Sequence, residues 1–319
     1  MLNQTSFRVD ILKRLIGKKV LIFLLSATSV IFLFPVTLFA CACGCSVFSV
    51  GARWMMATSE GLRAFLTYNY MNQYEDWTGW RRTASSFNSD QVIRSGFYTL
   101  GVQDMLSREW GVILEAPVWN RYFETTNDAG SLASIVHTSL ADVRLMGMYT
   151  GISEDMSTAI QVGVKLPTGP FNLSLMDRDT QIGSGTTDLL LGGYEMRQLD
   201  TWGWFGQVLW DHSFNYRDGY RPGDSFDAAV GVHYDNLQQT LKVVPILQIV
   251  ASFRASDSGA AADPANTGYG RLYVSPGIEG NPCQGIQLYV DLRIPLLTRV
   301  TGYQLVAPAL FEITLGYSV

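Results

Sequence analysis

The sequence predicts an all-β protein: a closed, antiparallel transmembrane β-barrel of about 12 strands that follows a cleaved signal peptide. Three observations predict it. Apolar and polar residues alternate along many segments, these segments are long, and the connections between them are long and short in turn. The composition agrees, because only 16% of the 319 residues are charged, against about 25% in an average soluble domain.

The N-terminus predicts export. Basic residues between positions 13 and 19 precede the uncharged stretch 21–40, which ends in a small residue, Ala40. This order describes a signal peptide, although an apolar run of about 20 residues is also long enough for an uncleaved anchor. Removal of residues 1–40 leaves 18 basic and 27 acidic side chains, a net charge of −9. An acidic chain of this kind does not indicate a nucleic-acid partner.

Period-2 alternation is the main strand signal. In 62–70 the even positions are largely apolar and the odd positions mostly polar, and 226–234, 286–294 and 311–319 alternate in the same way. Successive residues of a strand point to opposite sides, so each segment has one apolar face and one more polar face.

Segment lengths favour a membrane barrel over a soluble sheet. The segments run for roughly 9–16 residues, as tilted membrane-spanning strands do, whereas strands in soluble sheets average about 5–6 residues. The predicted strands are 61–74, 91–105, 110–121, 138–149, 157–167, 184–198, 202–212, 224–235, 240–254, 268–279, 284–297 and 303–319.

The connections between these strands are of two kinds. The long, polar ones are 75–90, 122–137, 168–183, 213–223 and 255–267, and the short ones lie near 106–109, 150–156, 199–201, 236–239 and 280–283. Outer-membrane barrels have short periplasmic turns and longer external loops, and an even strand count places both termini on the periplasmic side. The last hairpin, predicted near 297–302, is shorter than this pattern requires. We therefore predict a signal peptide (1–40), a Cys-bearing periplasmic segment (41–59) and a bacterial outer-membrane barrel (60–319).

Aromatic residues cluster where such a barrel would meet lipid headgroups. The tryptophans at or near predicted strand ends are Trp77, Trp80, Trp110, Trp119, Trp202, Trp204 and Trp210. Amphipathic rings favour this interface, so they predict an aromatic girdle, with the core of a soluble sheet as the alternative. The alternation changes phase around 192–193, where two glycines predict a bulge.

Charged residues on the polar faces predict the lining of the barrel lumen. The candidates are Arg63, Glu115, Asp142, Arg144, Lys165, Asp211, Asp227, His233, Lys242, Asp291 and Arg293. Such side chains avoid lipid and either line water or pair across the bore. A barrel of about 12 strands is narrower than a 16-stranded porin, so a narrow, partly filled bore is expected.

Four cysteines, Cys41, Cys43, Cys45 and Cys283, are expected at one mouth of the barrel on the export side. Three interpretations remain open: a disulfide that includes Cys283, lipidation of Cys41 in a sequence close to a lipobox, or a metal held by the four thiolates. Apart from that metal, the sequence predicts no cofactor.

Several short motifs fall at predicted strand ends in a fixed order. They are 163–169 (GVKLPTG), 183–188 (GSGTTD), 222–225 (PGDS), 275–277 (SPG) and 299–305 (RVTGYQL). From about residue 60 onward the chain resembles a bacterial family of porin-like outer-membrane barrels named for the meta-pathway of phenol degradation. The resemblance implies a transmembrane barrel that passes small, often aromatic, compounds, and it implies no catalytic residues.

We therefore predict an outer-membrane channel for passive passage of small, apolar or aromatic solutes, with the lipid bilayer and a small-molecule solute as its partners. The alternative is a structural sleeve or anchor for a periplasmic or redox protein docked at the Cys-bearing mouth. An enzyme is not predicted. Histidines are scarce, limited to His137, His212 and His233, and neither G-x-S-x-G nor H-E-x-x-H occurs.

Overall fold

A computed structural model describes residues 48–51, 56–57, 59–84, 89–126 and 130–318, and this part of the chain forms one 15-stranded sheet. None of its helical segments is long and apolar enough to cross a membrane. The strands are β1 (Gly61–Gln73), β2 (Glu75–Gly79), β3 (Arg81–Arg82), β4 (Asp90–Met105), β5 (Trp110–Thr126), β6 (Leu132–Leu140), β7 (Val143–Tyr149), β8 (Thr158–Leu166), β9 (Asp188–Leu199), β10 (Trp202–Ser213), β11 (Ser225–Tyr234), β12 (Val243–Arg254), β13 (Tyr269–Cys283), β14 (Ile286–Val306) and β15 (Leu310–Ser318). A short helical turn, Asp235–Leu237 and Gln238–Leu241, joins β11 to β12.

The sheet closes into a barrel of 12 antiparallel strands, as predicted. Strand β1 pairs with β4 on one side and with β15 on the other, and β14 completes the ring between β13 and β15. Strands β6 and β7 share one position in the ring, because β6 pairs with the second half of β5 and β7 pairs with the first half. The small strands β2 and β3 extend the sheet beyond the ring from β14.

The first ring strand begins and the last ring strand ends at the same mouth of the barrel. Arg63 at the start of β1 lies opposite Ser318 at the end of β15. We call this the terminal mouth and the other the loop mouth. The turns at the terminal mouth are short, such as 106–109 and 284–285, whereas the connections at the loop mouth include 167–187 and 255–268.

The last hairpin differs from the prediction. Strand β14 continues to Val306 and β15 starts at Leu310, so the turn is at 307–309 and not near 297–302. Gly302, with φ +57°, suggests a turn in the sequence but forms part of a register shift between Val300 and Tyr303. Residues beyond this shift leave the ring and pair with β2, which is why the sequence places the hairpin too early.

The outer face of the barrel is apolar along its strands. On β1, Leu62, Leu66 and Tyr70 are exposed outward while Phe65 and Met71 are buried inward. A closed barrel whose outer side is apolar requires this alternation.

Aromatic pairs lie at both ends of the apolar outer face. At the terminal mouth the rings of Trp110 and Tyr149 are 4.7 Å apart. Toward the loop mouth, Tyr68 and Tyr98 are 4.8 Å apart. Trp119 departs from the predicted girdle, because its ring points inward and packs edge-on against Phe97 at 4.9 Å.

The predicted bulge at 192–193 is wrong. Strand β9 pairs in continuous register with both β8 and β10 through these two glycines. Leu191 faces outward, whereas Leu190 and Tyr194 face inward and belong to the buried apolar cluster. Both faces of β9 are apolar here because its inward side chains pack into the buried apolar cluster and its outward side chains lie on the apolar outer face. The hydrophobic pattern therefore changes phase without a change in the backbone.

Candidate functional site

The lumen is filled by residues that precede β1. We call the described residues 48–51 and 56–57 the inner segment. Val50, Met56 and Ala57 are at most 1% exposed and belong to the same buried cluster as Phe97. These residues belong to the stretch 41–59, which the sequence predicts as a periplasmic segment, but they lie inside the barrel.

Polar side chains of the barrel wall hold the backbone of the inner segment. Tyr194 Oη accepts a hydrogen bond from Ala57 N at 2.9 Å, and Gln207 Oε1 accepts one from Gly51 N at 3.0 Å. The wall also donates hydrogen bonds to the segment, and these run from Arg63 Nη1 to Met56 O (3.0 Å), from Tyr289 Oη to Gly51 O (3.2 Å), from Arg293 Nη2 to Val50 O (3.0 Å) and from Arg144 Nη1 to Ser49 Oγ (2.8 Å). Because backbone groups in a dry interior need partners, these contacts fix the path of the segment.

Gly51 is required by the tight fit of the segment. Its φ is +99°, a left-handed value that other residues rarely adopt. A Cβ at this position would lie 2.8 Å from the side-chain oxygen of Gln248. A larger residue would therefore displace either the segment or the wall.

A buried charge network lies against the inner segment. Arg293 donates to Asp291 Oδ2 through Nε at 3.2 Å and to Glu312 Oε2 through Nη2 at 3.0 Å. Asp291 Oδ2 also accepts hydrogen bonds from Ser275 at 2.7 Å and from Gln248 at 3.1 Å. Pairing of this kind is what permits charges in a low-dielectric interior.

Lys165 lies between two carboxylates on the opposite wall. Its Nζ is in contact with Asp188 and is 2.7 Å from Asp211 Oδ2. Thr186 and Ser213 each donate a hydrogen bond of 2.7 Å to Asp188 Oδ1. The three charged groups carry a net charge of −1 when all are ionised.

The motifs 163–169 and 183–188 are brought together beside this group by Asp142. Its Oδ1 accepts from Gly169 N at 3.0 Å, and its Oδ2 accepts from Ser184 N at 2.7 Å and Ser184 Oγ at 2.6 Å. The two chains touch closely, because a Cβ on Gly183 would lie 2.3 Å from Gly169 O. The glycines of these motifs thus permit the crossing of two backbone segments.

The connection 167–187, which these contacts anchor, folds back over the lumen. Arg121 on β5 is fully buried and donates to Thr180 O, to Gln181 O at 3.2 Å and to Ser95 Oγ at 3.0 Å. Gln181 in turn holds the start of the connection, since its Oε1 accepts from Leu173 N at 2.8 Å. We call residues 167–187 the inward loop.

Two cavities lie on either side of the inward loop. The lumen cavity, of about 160 Å³, has an aromatic wall of Phe48, Phe65, Phe97 and Trp119 and a charged wall that includes Lys165. The vestibule, of about 550 Å³, opens at the loop mouth. Its acidic side chains are Asp90, Asp177, Asp179 and Asp263. Arg178, Asp179 and Tyr220 line both cavities and so mark the junction between them.

Comparison with known proteins bears on the fold. No protein-family model matches the sequence, and no curated protein matches it. Among solved structures, an outer membrane channel from Pseudomonas putida F1 superposes with a TM-score of 0.64 at 13% identity, over 85% of this chain and 100% of that one. The chain has the fold of that channel.

A second solved structure is more distant. The toluene transporter TbuX from Ralstonia pickettii gives a TM-score of 0.43 at 9% identity, over 88% of this chain and 94% of that one. This structural similarity is too low to support an argument about the fold. The resemblance to the family named for phenol degradation stays a prediction.

The structure places most of the residues predicted to face the lumen inside the barrel. Those that line the lumen cavity are Glu115, Asp142, Arg144, Lys165 and Asp211. Those that are buried elsewhere in the interior are Arg63, Asp227, His233, Asp291 and Arg293. Lys242 differs: it is exposed and follows the helical turn between β11 and β12, so it does not face the lumen.

Several interior residues are absent from the predicted set. Arg121, Asp188 and Glu312 are buried, and Arg178 and Asp179 lie at the junction of the cavities. The alternation of the last strand already places Glu312 on the polar face, and Asp188 ends a motif. The inward loop carries no such signal, because it has no strand periodicity.

The three histidines lie apart from one another. His212 Nδ1 is 2.7 Å from Asp224 Oδ2, and His233 Nδ1 is 2.9 Å from Asp235 Oδ1. His137 lies on β6 opposite Arg121.

The predictions for the cysteines stay predictions. Cys283 is exposed at the end of β13 and forms no disulfide with any other residue that the structure describes. Cys41, Cys43 and Cys45 lie outside the described residues. Within the described part, no three potential ligands are grouped to hold a metal.

Proposed function

We propose that the chain is a bacterial outer-membrane channel through which small aromatic or apolar solutes pass passively. In this proposal both termini are periplasmic, residues 1–40 are removed on export, and the loop mouth faces outward. The proposal includes no catalysis and no cofactor.

The outer face supports placement in a membrane. Leucine, valine and aromatic side chains cover it between the aromatic pairs near the two mouths. A soluble protein rarely exposes a contiguous apolar patch above a few hundred Å², whereas a membrane barrel needs an apolar band about 25 Å tall.

The lumen cavity is the observation that carries the proposed solute class. Its volume of about 160 Å³ is close to that of an apolar cavity, about 150 Å³, that binds benzene. Phe48, Phe65, Phe97 and Trp119 line one side of the cavity, and a contact between aromatic rings contributes about 0.5–1.5 kcal/mol beyond burial of area. A single aromatic ring therefore suits this cavity, and a large hydrated solute does not.

The inner segment supports a channel that is nearly closed at rest. It occupies the lumen between the cavity and the terminal mouth and is held by hydrogen bonds from several strands. Passage of a solute thus requires the inner segment to shift. This shift limits the rate of passage, which remains passive.

Single-channel recording in planar bilayers tests the proposal. The full mature chain is expected to give small conductance steps that a protein-free bilayer lacks. Benzyl alcohol, a neutral compound with one ring, is expected to interrupt the current at a rate proportional to its concentration, because it occupies the lumen cavity. A sleeve or anchor without transport would give a correctly folded barrel with no conductance steps, and that result would overturn the proposal.

A further inference from the structure

The passage between the vestibule and the lumen cavity runs past one guanidinium group. Arg178, on the inward loop, lines both cavities. Its guanidinium carbon lies 4.2 Å from the ring centre of Tyr220 and 5.1 Å from that of Phe171. Its Nη2 donates to Ser184 O at 2.7 Å. The side chain is therefore held across the junction by two rings and one hydrogen bond.

Two aromatic contacts and one hydrogen bond position the Arg178 side chain. Each cation–π contact contributes about 0.5–2 kcal/mol, depending on its desolvation. Its Nη1 is buried and has no hydrogen-bond partner among the described residues. A solute oxygen that reaches Nη1 would supply the hydrogen bond that this buried donor lacks.

The vestibule and the junction have opposite charge. The acidic side chains Asp90, Asp177, Asp179 and Asp263 line the vestibule, and Arg178 is the only basic residue among the described residues that line it. A cleft lined by one sign of charge concentrates solutes of the other sign and repels those of its own. The acidic vestibule thus disfavours anions, and the guanidinium at its base disfavours cations.

We propose that Arg178 is the selectivity-determining residue of the passage and that, in series with the acidic vestibule, it favours neutral aromatic compounds bearing an oxygen acceptor. This inference rests on the proposed channel function. It names the solute class more narrowly than cavity volume does, because volume alone does not distinguish benzyl alcohol from benzoate or benzylamine.

Arg217 supplies a matched control. Its guanidinium also stacks on Phe171, at 4.9 Å, but it lines neither cavity and its side chain is 54% exposed. Replacement of either arginine by alanine removes one positive charge and one contact with the same ring. Only the Arg178 change affects the junction.

The test compares current interruptions by benzyl alcohol, benzylamine and benzoate, which differ in charge but little in size, at pH 8. A pH well above the usual carboxyl range is chosen because partial loss of water raises the pKa of Asp177. For the unaltered protein, benzyl alcohol is expected to interrupt the current most often. In Arg178→Ala, benzylamine is expected to become the most frequent, with a rate about tenfold higher than before, because the repelling charge is lost and the ring of Tyr220 becomes available to the benzylammonium cation.

Two further variants separate charge from shape. Arg178→Lys keeps the charge but loses the planar stacking, so all three rates are expected to rise while benzylamine stays below benzyl alcohol. Arg217→Ala is expected to leave the order and the rates unchanged, which excludes a general loosening of the inward loop.

The outcomes distinguish this inference from the proposed function. Conductance steps with the same order of solutes in Arg178→Ala as in the unaltered protein would overturn the role of Arg178 and leave the channel intact. An equal change in Arg217→Ala and Arg178→Ala would also overturn it. Absence of conductance in every variant would instead overturn the channel function itself.

Discussion

At the scale of single residues, the interior of this barrel is governed by the need to balance buried charge. Arg293 lies between Asp291 and Glu312, and Lys165 lies between Asp188 and Asp211. In each group one cation pairs with two carboxylates. Removal of a cation leaves two facing anions, whereas removal of one carboxylate relieves a repulsion, so the two kinds of change have unequal costs.

Substitution at Lys165 tests this asymmetry. Lys165→Met is expected to lower the free energy of unfolding by about 3 kcal/mol, because it leaves Asp188 and Asp211 without their cation. Asp211→Asn is expected to cost less than about 1 kcal/mol, because Lys165 keeps its contact with Asp188. Urea unfolding from phospholipid vesicles measures both values. Equal costs for the two variants would contradict the charge-balance argument.

The crossing of Gly169 and Gly183 is a second residue-scale constraint. Gly183→Ala is expected to destabilise the barrel by about 1–3 kcal/mol, since its Cβ would lie 2.3 Å from a backbone oxygen that cannot move freely. Gly206→Ala is the control, because the nearest atom to its Cβ is Ala229 O at 3.9 Å. The difference in unfolding free energy measures the effect, and a variant at Gly183 as stable as the control would rule the crossing out as a constraint.

Residue positions were partly predictable from the sequence. Strand alternation fixes which side of the wall a residue faces, so it places Arg293 and Lys165 inside. It does not reveal their partners, because Asp188 and Asp211 come from neighbouring strands whose register depends on the whole sheet. Alternation does not predict the position of Lys242, because this residue lies in a turn and not in a strand.

At the scale of elements, the ring strands were predictable and the filling of the lumen was not. Most ring strands are long and alternating, so their own sequences carry the signal. The inner segment is short and has no periodicity, and its burial exists only because the barrel surrounds it. The same filling makes the interior near Tyr194 apolar, which is why a phase change in the hydrophobic pattern wrongly predicts a bulge at 192–193.

A change in the inner segment is expected to open the channel. Gly51→Ala places a Cβ at φ +99° and 2.8 Å from Gln248, a cost of about 1–3 kcal/mol that the segment avoids by leaving its place. The fraction of time in a higher-conductance state is expected to rise about tenfold in single-channel recordings.

Gly147→Ala is the control for this change, because its Cβ would meet nothing nearer than Val162 O at 3.7 Å, so its conductance is expected to match that of the unaltered protein. If Gly51→Ala conducts no better than Gly147→Ala, the inner segment does not limit the passage.

At the scale of the whole molecule, closure of the ring determines what the lumen can hold. An eight-stranded barrel is filled by its own side chains and a 16-stranded porin leaves a water channel. Twelve strands leave a bore that side chains from the wall cannot fill alone, and here the inner segment and the inward loop occupy it. Strand number could be predicted from the alternation and the loop lengths, but the way in which the extra space is filled depends on contacts distant in sequence.

The orientation of the molecule in its membrane is testable at Cys283. This residue is exposed in the region of the short turn 284–285 at the terminal mouth, which the proposal places in the periplasm. A membrane-impermeant maleimide, added with a mild reductant, is therefore expected to leave Cys283 unlabelled in intact cells and to label it once the outer membrane is permeabilised. Mass spectrometry of the peptide that contains Cys283 separates its signal from those of the other three cysteines.

The matched control for orientation is a cysteine at the other mouth. Ala260 is exposed in the connection between β12 and β13, so Ala260→Cys in a Cys283→Ser background is expected to react in intact cells. Because β13 runs from the connection that holds Ala260 to Cys283, the two positions lie at opposite mouths and so on opposite sides of the membrane. Labelling of Cys283 in intact cells, with protection of the cysteine at position 260, would reverse the orientation and place the acidic vestibule in the periplasm.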